Sequence, residues 1–183
     1  MADHICPWWI GYLLASPLRK LFENPQKLLG PYISPGMTVL DYGCGMGFFT
    51  IPLAKMVGPS GKVIAVDIQA KMLDGVRRKA KRRQLAERIT IISAGTEGQI
   101  HDASVDFVAA LYVVHEIADQ GTFFQKIYRI MKSGAKILIV EPRLHVEVGE
   151  FRRCLDIAES TGFLTDSDLN LPGKLRAVLS RPR

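Results

Sequence analysis

The segment Val39-Leu40-Asp41-Tyr42-Gly43-Cys44-Gly45-Met46-Gly47-Phe48-Phe49 holds the residues whose spacing points most directly to chemistry. An acid closes a short apolar run, and three glycines follow at alternate positions. Glycine has no Cβ and tolerates positive φ, so a ligand can approach such a backbone closely. In open α/β sheets, ligands sit beyond the carboxyl ends of the strands. A dinucleotide fingerprint, Gly-x-Gly-x-x-Gly, requires its third glycine at position 48, which is Phe48. Asp41 at the loop's entrance would repel a pyrophosphate and suits a ligand with a cationic amine. A second acid, Asp67, stands 20 residues after Gly47 and ends the next apolar run. A carboxylate there can accept hydrogen bonds from both hydroxyls of a ribose, or it can cap the helix that follows. The pair favours an amino-acid-bearing nucleoside over a dinucleotide.

The elements that must carry these residues alternate from Met37 onward. Strands are expected over 38–41, 62–67, 88–94, 105–114 and 135–141. Shorter ones are expected near Phe163 and over 175–180. Helices are expected over 48–57, 70–85, 122–131 and 148–160, with apolar residues at three-to-four spacing, such as Met72, Leu73, Val76 and Ala80. The continuous apolar run 105–114 suits a strand buried on both faces, as in a parallel sheet. Ser133-Gly134 is read as a break between helix and strand. The last two strands are joined without a helix, so at least one should run antiparallel at the sheet edge. Residues 1–36 read as an N-terminal helical cap and 37–183 as the ligand-binding domain.

With the loop and second acid in place, Asp41-x-Gly43-x-Gly45-x-Gly47 resembles motif I of the class I methyltransferases that use S-adenosylmethionine. Asp67 matches that family's ribose acid. Val105-Asp106-Phe107-Val108 and Lys132-Ser133-Gly134-Ala135-Lys136-Ile137-Leu138 are similar to its fourth-strand and fifth-strand segments. The likeness spans about residues 37–181. It implies an α/β, Rossmann-like, doubly wound sheet of seven strands, mostly parallel with the last strand antiparallel. It also implies S-adenosylmethionine as cofactor and S-adenosylhomocysteine as product. By the same likeness, Asp41 and the loop Gly43, Cys44, Gly45, Met46 and Gly47 would hold the methionine part. Asp67 would hold the ribose and Ile68 would pack beside the adenine, with Met72 also counted among the cofactor-binding residues. Gly95, Thr96 and Glu97 would face the adenine ring. Leu111 and Tyr112 would lie near the sulfonium.

A sulfonium methyl is already electrophilic, so the protein must align a nucleophile and exclude water. A base is needed only when the nucleophile arrives protonated. Tyr112, His115 and Glu116, just beyond the fourth strand, are the catalytic candidates. His115 could equally be a structural histidine, and Glu116 a favourable charge at a helix start. The segment after the fourth strand lacks the Asn/Asp-Pro-Pro-Tyr/Phe signature of base and glutamine methylation, and it has no Pro-Cys pair. A small, apolar acceptor is the expectation. A non-catalytic cofactor-binding protein is the alternative, followed by a nicotinamide-dependent oxidoreductase.

Composition bounds the rest. The 183 residues are 48% hydrophobic and 23% charged, ordinary for a folded domain and too apolar for a disordered chain. The formal charge is +6, with Arg77, Arg78, Lys79, Lys81, Arg82 and Arg83 clustered. Without interleaved aromatics or a recognition module, that run reads as a solvated helix face, and no nucleic-acid partner is expected. No apolar run approaches the ~18 residues of a membrane span. Cys6, Cys44 and Cys154 form no CxxC pair or disulfide framework, which favours the cytoplasm. A secretory signal is not expected, because no basic stretch precedes the apolar segment 5–14. Trp8, Trp9 and Tyr12 could wall an apolar pocket. His4 and Cys6 are too few for a metal site, so none is expected. A homodimer is compatible with the sequence.

Overall fold

The computed structural model describes residues 23–171 and 173–183. The expectations for the segment 4–14 therefore lie outside the described residues. The chain divides into two compact units after Gly98, and its strands form a seven-stranded sheet.

In the first unit, helix α1 (Pro25–Leu29) is capped by Asn24, whose side chain accepts from the Gln26 and Lys27 N–H groups. Then follow β1 (Thr38–Tyr42), α2 (Thr50–Met56), β2 (Lys62–Asp67), α3 (Ala70–Arg82) and β3 (Ile89–Ser93). The strands lie in the order β3-β2-β1, all parallel, with Asp41 opposite Ala65 and Asp67 opposite Ser93. β2 is rich in β-branched residues and buries all but its first and third positions. α3 lays Leu73 and Val76 against Ala65 and Cys44, with Ile89 and Ile91 packed alongside. The helix stops earlier than its apolar spacing suggested. Gln84, at φ 55, turns the chain out of it.

In the second unit, β4 (Val105–Leu111) leads through a one-turn 3₁₀ helix (Val114–Glu116) into α4 (Gln120–Ile130). Then come β5 (Met131–Pro142), α5 (Val148–Ser160), β6 (Leu164–Leu171) and β7 (Lys174–Ser180). The order is β4-β5-β7-β6. β4 and β5 are parallel, and β7 runs antiparallel to both β5 and β6. The Asp119 carboxylate caps α4, and Glu147 and Glu150 cap α5 reciprocally. Phe124 and Phe163 are almost fully buried and meet edge-to-face at 6.0 Å, and Tyr128 meets Phe163 at 5.2 Å.

The mostly parallel sheet with an antiparallel last strand is as expected. One of the last two strands does take the edge: β6 lies there, paired antiparallel with β7, and the turn at Gly173 (φ 76) folds β7 back beside β5. Two local expectations are corrected. Val113 and Val114 are not in β4, which ends at Leu111 because the chain turns sharply at Tyr112. Ser133-Gly134 does not separate helix from strand but lies inside β5. Val105 pairs with Met131 and Phe107 with Lys136, so the intervening residues bulge, with Gly134 at φ 77. Among the described residues, no helix is long and apolar enough to cross a membrane.

The entry to β2 is tightly fixed. A Cβ added at Gly61 would stand 2.5 Å from Val57 O and 2.8 Å from Met37 O, both backbone atoms that cannot swing aside. Gly61→Ala should therefore destabilise the protein by roughly 1–3 kcal/mol, the usual cost of overpacking. Chemical denaturation of wild type and variant checks this, and an unchanged midpoint would refute the steric account.

Candidate functional site

The first unit builds a cradle from two strand ends. Asp41, the residue before the last of β1, is 2% exposed. Its Oδ2 accepts a 2.6 Å hydrogen bond from Thr50 Oγ1 at the start of α2. The chain then passes through Gly43, Gly45 and Gly47, at φ 70, 50 and 80. These values lie in the left-handed region, so side chains would be strained at all three positions. At Gly47 a Cβ would also press on Val76 at 3.3 Å, whereas above Gly45 the space is open. Cys44 and Met46 turn into the core, 6% and 4% exposed, and leave the loop's backbone as its outer surface. Burial pushes the Cys44 thiol well above its ordinary pKa, reinforced by the charges of Asp41 and Asp67. It is packing, not a nucleophile.

Asp67 closes the cradle. Its Oδ2 accepts from Gly45 N–H at 2.8 Å and its Oδ1 from Gln69 N–H at 2.9 Å. A carboxylate offers about four lone-pair sites, so acceptor capacity remains for a ligand hydroxyl. Beside it, Ile68 is 61% exposed, an apolar face next to a polar anchor. Met72 is buried in the core. Glu97 is also buried, and its Oε1 accepts from Gly95 N–H at 2.8 Å and from the Tyr42 hydroxyl at 3.3 Å. The loop 95–97 is thereby tied to the end of β1. Thr96 is exposed, and its hydroxyl bonds Ser93 O at 2.7 Å. Tyr42 did not stand out in the sequence, since it is neither an acid nor a glycine of the loop. Burial and the Glu97 carboxylate hold its hydroxyl neutral.

The second unit gathers the catalytic candidates at the end of β4. Leu111 is buried, and Tyr112 has φ 62, unusual for a residue with a side chain. The Tyr112 N–H donates to Val140 O at 2.7 Å. Tyr112, His115 and Glu116 thus share one turn. Beneath it lies Glu141, 1% exposed at the end of β5. Glu141 Oε1 accepts from Val114 N–H at 2.7 Å and from His115 N–H at 3.3 Å. Glu141 Oε2 lies 2.5 Å from His115 Nδ1. The His145 ring stacks on the His115 ring, 6.4 Å between centroids and 5° from parallel. Sequence reasoning missed Glu141 as a functional residue. The only signal was an acid ending an otherwise apolar strand, the pattern already used for Asp41 and Asp67.

A family model described as "Methyltransferase domain" matches residues 33–164. The chain belongs to the class I S-adenosylmethionine-dependent methyltransferases. A demethylmenaquinone methyltransferase of Geobacillus sp. (strain WCH70) is 33% identical over 119 residues, covering 65% of this chain and 50% of that protein. A ubiquinone/menaquinone biosynthesis C-methyltransferase of Hahella chejuensis is 29% identical, covering 60% and 41%. The chain thus spans about half the length of the curated relatives it matches. In fold, a SAM dependent methyltransferase from Aquifex aeolicus superposes with a TM-score of 0.86 at 24% identity, over 97% of this chain and 100% of that one.

The methyltransferase's cradle fits the family's cofactor by the chemistry of its donors and acceptors. Spare carboxylate lone pairs suit a ribose, the exposed Ile68 suits a base, and an open glycine backbone suits the amino-acid portion. Among the described residues, no group of three or more His, Cys, Asp or Glu could hold a metal.

Asp41 gives this cradle a pH dependence. Burial raises its pKa to about 7, with the Thr50 hydroxyl opposing and the Asp67 charge adding. The ligand-free protein therefore holds a proton on Asp41 below pH 7, and a ligand ammonium favours the ionised form. Binding expels that proton, so affinity rises with pH up to about 7 and then levels. Below that point, S-adenosylhomocysteine affinity should fall by about tenfold per pH unit. Calorimetric titrations across pH 5.5 to 8.5 (roughly one and a half units on either side) read this out. Asp41→Asn should bind more weakly at neutral pH and lose the slope, and a slope retained in Asp41→Asn would assign it elsewhere.

Proposed function

We propose that this chain transfers a methyl group from S-adenosylmethionine to a nucleophilic centre of a small, apolar, quinol-type acceptor. The observation that carries the cofactor half is the Gly45 N–H bond to Asp67 Oδ2, which joins the open glycine backbone to a carboxylate with acceptor sites to spare. In this reading Asp41 and the backbone of Gly43, Cys44, Gly45, Met46 and Gly47 hold the methionine part. Asp67 holds the ribose. Ile68 and Met72 serve the adenine side, with Gly95, Thr96 and Glu97 shaping that end. Leu111 and Tyr112 belong to the methyl-donor end, and Tyr112, His115 and Glu116 to the acceptor chemistry. The acceptor half rests on the relatives, which are named for demethylmenaquinone and for ubiquinone and menaquinone.

The cofactor supplies an electrophilic methyl on a sulfonium, with a neutral thioether as leaving group. The protein's own work is to align the acceptor, exclude water and receive any proton the acceptor gives up. Residues 1–36 form the cap of this reading and 37–183 its methyltransferase domain. It takes a cytoplasmic protein without a nucleic-acid partner and allows a homodimer.

Turnover with a short-chain demethylmenaquinol, followed as S-adenosylhomocysteine release and product mass, tests the proposal. The expected gain is one methyl per S-adenosylhomocysteine. Asp67→Ala should weaken S-adenosylhomocysteine binding by about tenfold to a hundredfold, because each hydrogen bond to a charged group contributes roughly 1.5–3 kcal/mol. Binding without turnover on any quinol would favour the non-catalytic alternative. Binding of NADH in place of S-adenosylhomocysteine would sink the cofactor assignment.

A further inference from the structure

Glu141 is a carboxylate removed from water, and among the described residues no lysine or arginine is bonded to it. Such a group is costly unless every lone pair in use finds a donor. Here the donors all come from one turn: Val114 N–H, His115 N–H and His115 Nδ1. The carboxylate therefore sets both the path of the chain beyond β4 and the state of the imidazole. With Nδ1 committed as donor to Oε2, neutral His115 carries its free lone pair on Nε2. Among the described residues, Nε2 has no hydrogen-bond partner, and the side chain is 24% exposed. The His145 ring stands parallel to it, 6.4 Å between centroids.

We propose that Glu141 is a positioning residue that presents His115 Nε2 as the proton acceptor of the reaction, and that the methyl acceptor is a molecule that must shed a proton from a hydroxyl or a ring carbon. This rests on the methyl-transfer reading above. The balance is simple. The acceptor's electron pair forms the new bond to the methyl carbon, and the methyl–sulfur pair departs with sulfur. The acceptor's proton goes to Nε2, and nothing is oxidised or reduced. The imidazolium that results is held by Glu141 without a change of partner.

The charges around the ring agree with this role. Burial alone would lower the His115 pKa. The hydrogen bond and charge of Glu141 from β5 outweigh it, with Glu116 on the same turn and Glu150 from α5 adding, so the net direction is upward. A base must be neutral to act, so kcat/KM should rise as pH increases through the His115 pKa and then level.

The deciding experiment is Glu141→Gln on the full chain. NMR titration of the His115 ring, without cofactor or acceptor, should show its pKa falling by about one unit, because a neutral amide no longer stabilises the imidazolium. The acid limb of kcat/KM for the demethylmenaquinol probe should shift by the same amount. kcat should drop at least tenfold with KM little changed, and S-adenosylhomocysteine affinity should stay within a factor of two. Glu141→Gln/His115→Asn should be no slower than His115→Asn alone, as for groups acting as one unit. An unmoved His115 titration in folded Glu141→Gln would overturn the positioning role. If Glu141→Gln fails to fold, His115→Asn decides instead. It keeps the backbone bonds to Glu141, and wild-type turnover in it would overturn the proposal. A wild type that binds no S-adenosylhomocysteine would instead refute the methyl-transfer reading, while the ring titration still reports on Glu141.

Discussion

A carboxylate that ends a buried parallel strand must find hydrogen-bond donors in the next few residues, and this constraint shapes every loop of interest here. β2 ends in Asp67, and β1 and β5 carry Asp41 and Glu141 just before their last residues, all nearly excluded from water. Unpaired, each would carry a desolvation penalty of several kcal/mol. Asp41 is served by the Thr50 hydroxyl, Asp67 by the N–H groups of Gly45 and Gln69, and Glu141 by those of Val114 and His115 together with the His115 ring. The donors are mostly backbone groups. The acids therefore dictate where the chain goes, and the glycines with φ near 50 to 80 are what allow it to go there.

The three acids are served by different donors. Asp41 has one hydroxyl against near-complete burial, and its proton is retained to about pH 7. Burial raises the Asp67 pKa too, with the Gln69, Gly45 and Ile68 N–H groups opposing. Glu141 has three donors, and its charge is in turn felt by His115 and by the buried Cys154 thiol, whose pKa burial and that charge push up to about 12. A fold can therefore tune otherwise similar side chains by burial and by the donors it turns toward each.

Much of this was legible in the residues. KVIAVD declared β2 and its terminal acid to the residue, and the stretch 148–160 declared α5, because β-branched runs and three-to-four spacing are local signals. Asp41 and Asp67 stood out because glycines and strand ends flank them. What failed were features decided by residues distant in sequence. Val113 and Val114 read as strand, yet the Val114 N–H is claimed by Glu141, 27 residues beyond it. Ser133-Gly134 read as a break, yet the backbone of Gly134 and Ala135 pairs with Arg181 near the far end of the chain. The tie from Tyr42 to Glu97 spans 55 residues and has no local pattern. An apolar run reveals burial; it does not reveal which buried acid will take its N–H groups.

The backbone at Tyr112 argues that the turn beyond β4 is held there by its contacts. A φ of 62 at a residue with a side chain costs on the order of 1–2 kcal/mol. The chain could avoid that by continuing as a strand through Val113 and Val114, as its composition favours. It does not, because leaving the turn would strip Glu141 of the Val114 N–H and both His115 donors and leave a buried charge unsatisfied. Desolvation of one carboxylate therefore outweighs local strain and local β preference together. The same balance keeps the imidazole from rotating away, since Nδ1 has no better partner than Oε2. A group that must accept a proton in one direction, from one atom, gains from this rigidity: its orientation is settled before any acceptor arrives, and the entropy of fixing it has been spent in folding.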